Sequence, residues 1–154
     1  MLLKVTPAGK ALLDSLGVRI KPHGLGRGGP VHMWWVAALK KFAIGLGAEV
    51  DVEDDSSGAR VDVTIRSGTL APIACEIEIS PGHEMANVLK DIAAGFETIV
   101  SLVESPSRTQ LIRAKVESEH EAELRQGITI EVARLVDFRA VLERLLGTGS
   151  RTPP

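Results

Sequence analysis

Two neighbouring stretches, Arg60-Val-Asp-Val-Thr-Ile65 and Ile73-Ala-Cys-Glu-Ile-Glu-Ile-Ser80, constrain this chain more than any other feature. They place three carboxylates, Asp62, Glu76 and Glu78, inside otherwise apolar strands. Side chains alternate along a strand, so Glu76 and Glu78 share one face, and Cys75, Ile77 and Ile79 the other. On the first strand Val61, Val63 and Ile65 point one way, and Asp62 and Thr64 the other. A hairpin through Ser67-Gly68 brings the three acids to one end of a sheet. Clustered carboxylates repel unless a cation or a proton sits among them. The pattern therefore asks for a divalent metal, and oxygen-only ligands point to Mg²⁺ or Mn²⁺.

With 154 residues, 44% of them hydrophobic and 25% charged, the chain can bury the core of one ordinary globular domain. Aromatics make up only 3%, so packing rests on Val, Ile, Leu and Ala. The single Cys75 excludes an internal disulfide framework and a multi-cysteine zinc site. No apolar run approaches the roughly 20 residues that span a bilayer. Met1-Leu-Leu-Lys-Val-Thr6 lacks the apolar core of a signal peptide. A cytoplasmic location with no membrane partner is the expectation. A formal net charge of −2 gives no global attraction for nucleic acid, although a local basic patch beside an acidic site is compatible with DNA.

Residues 1–22 read as an N-terminal helical segment. Thr6 can cap it, Pro7 suits the first turn and Gly17 can end it. Its Thr-Pro-x-Gly-x-x-Leu-Leu wording resembles the last helix of a winged-helix domain, a remnant with no room for the rest; a helix packed on the main domain accounts for it as well. Residues 23–30 form a Gly-rich linker, without the Gly-Lys-Ser/Thr that would make a phosphate loop. An α/β domain occupies 31–147, and 148–154 reads as a disordered tail.

Within that domain Val31 to Leu46 shows helical spacing, with Val31, Trp35, Leu39, Phe42 and Leu46 on the apolar side. A strand near 48–53 and a polar loop at 54–59 precede the acidic hairpin. Ser80-Pro81 opens a helix to Ala94, with Met85, Val88, Leu89 and Ile92 as its buried face and Glu84, Asn87, Lys90 and Asp91 as a polar stripe. Phe96–Val103 reads as a buried strand, Pro106–Leu124 as a charged helix and Ile128–Val136 as a further strand. Asp137 then caps a last helix ending at Gly147.

An acid on one strand followed by an acid-x-acid on the next resembles the active-site hairpin of the PD-(D/E)XK nuclease superfamily. The order helix, three strands, helix, strand matches its restriction-endonuclease-like fold. The resemblance implies an α/β architecture with an αβββαβ core, a mixed central sheet flanked by helices, and here an extra C-terminal strand and helix. It covers about Val31 to Val136. More narrowly, His32-x-x-Trp35, Arg60-Val-Asp62-Val, Glu76-Ile-Glu78-Ile-Ser80 and Glu84-x-x-Asn87-x-x-Lys90-Asp91 with Gly95-Phe96 are similar to nuclease-like domains at the ends of conjugation-coupling and helicase-type ATPases. The chain itself has no Walker motif, so association with a DNA-translocating ATPase is the partner this implies.

The resemblance assigns roles. Asp62 and Glu76, with the carbonyl of Ile77, would bind Mg²⁺ or Mn²⁺ and cut DNA by phosphodiester hydrolysis. Glu78 stands where the family usually has lysine; it would bind a second ion or orient the attacking water. Lys90 is the candidate for the displaced cation, against the plainer reading of an exposed helix lysine. Asn87 would contact a bound water or a phosphate. His32 would serve as a base or phosphate ligand, against a structural histidine. Cys75, pointing away from Glu76, reads as a core residue. Trp34 and Trp35 face different sides of their helix, one toward the core. A homodimer suits an enzyme that cuts two strands. Two alternatives stay open: a catalytically inactive nuclease-fold module that binds DNA or a protein partner, and an unrelated α/β domain whose acids pair with Arg60 and Arg66.

Overall fold

The computed structural model describes residues 29–54 and 60–147. The expected helix at 6–17, most of the 23–30 linker, the polar loop at 55–59 and the tail from 148 lie outside the described residues. The elements run α1 (Pro30–Gly45), β1 (Glu49–Asp54), β2 (Val61–Arg66), β3 (Ile73–Glu78), α2 (Glu84–Ala93), β4 (Thr98–Val103), α3 (Pro106–Glu119), α4 (Glu121–Arg125), β5 (Thr129–Arg134) and α5 (Phe138–Leu145). A 3₁₀ turn, Leu135–Asp137, joins the last two.

The five strands form one mixed sheet in the order β1-β2-β3-β4-β5. β1, β2 and β3 pair antiparallel through short connections, whereas β3, β4 and β5 pair parallel through helices. One face of the sheet, carrying Val63, Ile65, Ile73, Cys75, Ile77, Val100 and Leu102, packs on Val36, Leu39 and Ala43 of α1 and on Phe138, Val141 and Leu142 of α5. On the opposite face Val88 of α2 meets Val61, Ala74 and Ile99, while Ile112 and Val116 of α3 meet Val103 and Val132. The fold is thus an α/β sandwich with a five-stranded mixed sheet flanked by helices.

Several local expectations change. The buried residues of α1 are His32, Val36, Leu39 and Ala43, and Val31 is exposed. Small Ala43 lets the helix approach the sheet, while Trp35 and Phe42 lean aside into edge-to-face contacts with Phe138. Trp34 is the exposed member of its pair. In α2 Val88 is buried and Met85 and Ile92 pack beside the core as the spacing expects, but Leu89 faces solvent, and Glu84 and Asp91 of the polar stripe are buried as well. The helix starts at Glu84 rather than at Ser80-Pro81, after a turn in which Gly82 takes a φ of 106°. It closes on Gly95 at φ 87°, with the Phe96 N–H donating to the Asp91 carbonyl. Thr98, not Phe96, begins β4, and the long charged helix divides at His120. Asp137 precedes α5 but gives it no side-chain cap; its carboxylate is taken by Arg134 at 2.6 and 2.9 Å.

One departure from regular alternation builds the site. The β2–β3 ladder ends at Val63–Cys75. Val61 therefore does not share a face with Val63 and Ile65 as alternation demands; it packs with Ala74, Val88 and Ile99 on the other side. Beyond the ladder's end the Ile77 N–H donates to the Asp62 carboxylate at 2.9 Å, a side chain taking the place of a strand carbonyl. On the adjoining strand Glu53, across from Asp62, adopts a φ of 52°, a strained conformation for a side chain of its kind.

Candidate functional site

Because β2 and β3 run antiparallel, the start of one and the end of the other meet. Asp62 and the pair Glu76 and Glu78 therefore gather at the same end of the sheet, as the hairpin pattern anticipates. Glu76 is 3% exposed and Glu78 4%. Three elements supply their partners.

α1 brings His32, whose Nε2 lies 2.9 Å from Asp62 Oδ2. The same oxygen accepts from the Ile77 N–H, so Asp62 is fixed from both sides. Burial alone would push the Asp62 carboxyl up, but these two hydrogen bonds outweigh it and hold Asp62 below the ordinary value. His32 is raised in turn, chiefly by its bond to Asp62 and against the effect of burial. The sequence left His32 between a site residue and a structural one; the fold buries it and sets it against Asp62.

α2 brings Lys90 and Asn87. Lys90 Nζ donates to Glu76 Oε1 at 2.6 Å and to the carbonyl of Arg60, and lies 3.4 Å from Asp91 Oδ1. It is therefore not a free helix lysine. Asn87 Nδ2 donates to Glu78 Oε1 at 2.8 Å. Glu78 is raised by burial, with the Asn87 bond opposing. Glu76 is pushed up to about 9, by burial first and then by the charge of Asp62, despite the ammonium beside it.

α3 brings Arg108, which the sequence did not single out. Its guanidinium donates to the carbonyls of Glu78 and Ile79 at 3.2 Å and of Ser80 at 3.0 Å, and pairs with Glu84. It ties down the turn that carries the chain from β3 into α2. Asp91 is the second omission. It is wholly buried, both its oxygens lack hydrogen-bond partners, and burial lifts its carboxyl to about 6 against the charge of Lys90. Its signal lies in the polar stripe, which amphipathic spacing alone sends to water. Cys75 lies in the core, and burial pushes its thiol up.

The donor set suits a hard divalent cation in chemistry: the part-buried carboxylate of Asp62 and the buried one of Glu76, which burial and the charge of Asp62 push up. Among the described residues no group of three or more His, Cys, Asp or Glu side chains is arranged to hold a metal ion. A site here would rest on two acids and backbone oxygen. The Ile77 carbonyl accepts a 3.3 Å bond from the Ile79 N–H. No described helix is long and apolar enough to cross a membrane. Comparison of the chain with protein-family models, curated proteins and solved structures returned no match.

Proposed function

We propose that the chain is a divalent-metal-dependent DNA endonuclease with a restriction-endonuclease-like core. The observation that supports this reading is the ammonium of Lys90, which reaches Glu76 from α2 and would supply the cation that the position of Glu78 lacks. The order α1, β1, β2, β3, α2, β4 supports the same reading.

Asp62 and Glu76 would hold Mg²⁺ or Mn²⁺. Bound there, the ion supplies positive charge to the scissile phosphate and lowers the pKa of an attacking water. The protein's own part is positional. His32 and the Ile77 N–H fix one Asp62 oxygen. Lys90, partly exposed, keeps its charge against the acid pair and can meet a phosphate oxygen from the same side. Asn87 aims Glu78, which would orient the water.

The test is cleavage of supercoiled plasmid, linear single strand and a branched junction, in Mg²⁺ and separately in Mn²⁺. Wild type is expected to cut at least one of them. Asp62→Ala should lose more than about a hundredfold, beyond the cost of disturbing an outer-shell residue. Cutting by both proteins alike would mark a contaminant. No cutting by folded wild type on any substrate would replace the enzyme reading with that of a nuclease-fold binding module.

A further inference from the structure

We infer that the Lys90 ammonium occupies a second cation position built into the acid site, so that the wild-type protein takes a single divalent ion from solution. This rests on the metal-binding part of the function proposed above, and it concerns residues that reading leaves without a role.

Nζ of Lys90 is surrounded by oxygen. Glu76 Oε1 lies at 2.6 Å, the Arg60 carbonyl is in hydrogen-bond contact and Asp91 Oδ1 is at 3.4 Å. Two carboxylates and a carbonyl from three separate elements are the ligand types of a hard metal ion, not the usual setting of a helix lysine. Asp91 strengthens the case. It is 0% exposed, and neither oxygen has a hydrogen-bond partner. A buried carboxylate without a donor is costly unless a cation stands beside it. Among the described residues its ion-pair partner is Lys90 at 3.4 Å, which leaves the second oxygen unserved. The Asp91 carboxylate thus holds more acceptor oxygen than the one ammonium beside it serves.

The position has a different occupant when the ammonium is removed. Lys90→Met keeps the length of the stem and deletes the charge. It leaves Glu76, Asp91 and the Arg60 carbonyl facing the vacated point, and a divalent ion fits that set. Adding Asp91→Asn removes a ligand charge and closes the position again.

The experiment counts Mn²⁺ per chain, from the electron paramagnetic resonance signal of the free ion in a titration, for wild type, Lys90→Met and Lys90→Met/Asp91→Asn. The expected counts are one, two and one. Equal counts for wild type and Lys90→Met overturn the inference. No ion on wild type but one on Lys90→Met upholds the lysine position and overturns the metal-binding reading instead; no ion on either overturns both. If Lys90→Met does not fold without metal, it is refolded across a Mn²⁺ series. Recovery of native structure that requires two ions per chain supports the inference, and failure to refold at any concentration overturns it.

Discussion

Glu76→Gln is expected to be more stable than the wild type at pH 8 and, under the nuclease reading, to cut no DNA. Folding lifts the Glu76 carboxyl from an ordinary 4.5 to about 9. The folded chain therefore holds a proton that the unfolded chain releases between those values. Stability from this group is complete below the lower value and falls as pH rises toward the upper one, by about 1.4 kcal/mol per pH unit. Glutamine has no such dependence. Its carbonyl oxygen can keep the Lys90 bond, and its NH₂ faces Asp62 in place of the acid proton. The stability gap between variant and wild type should widen by about 3 kcal/mol from pH 6 to pH 8. Urea unfolding at several pH values measures it. A gap that stays constant would mean that Lys90 keeps Glu76 ionised in the fold. The amide also gives up the negative charge that holds a hard cation, so cleavage goes as stability rises.

Arg108→Ala carries the second large effect, in the opposite direction. One guanidinium serves three carbonyls at the end of β3 and the buried carboxylate of Glu84. Without it, Glu84 is left charged in the interior. Breaking a buried pair from one side costs about 3 kcal/mol or more. The lower end applies, because the Gly82 N–H still donates to Glu84 at 2.8 Å and the carboxylate sits at the start of α2. Burial would push Glu84 up, and the Arg108 bond is what turns it down, so Arg108→Ala should also make Glu84 easier to protonate. Arg108→Ala/Glu84→Gln should recover part of the loss in urea unfolding. A single-variant loss under about 1 kcal/mol would show that water serves the turn as well as the arginine does.

The hairpin acids were legible because strand alternation is a local rule: Glu76 and Glu78 two residues apart must share a face. The element order was legible from hydrophobic spacing and from Gly and Pro punctuation. The orientation of α2 was legible only in part. Val88, Met85 and Ile92 pack inward as the apolar spacing demands, but amphipathic reasoning sends the whole polar stripe to water, and here Glu84 and Asp91 are buried while Leu89 is exposed, because the sheet beneath α2 carries its own charged residues. Asp91 was hidden by the same assumption. Arg108 was hidden because its partners are backbone carbonyls about 30 residues away, which leave no trace in residue types. The ladder break at Asp62 was equally silent, since nothing in Val61-Asp62-Val63 distinguishes a strand that ends from one that continues.

That break has a spectroscopic consequence. An amide proton inside a sheet normally reports only on the backbone that holds it. The Ile77 proton is held by a carboxylate, so its resonance position and exchange rate follow the ionisation of Asp62 and the company Asp62 keeps. A single backbone signal in the middle of the molecule thus reads the charge state of the cluster, with no label attached to the site.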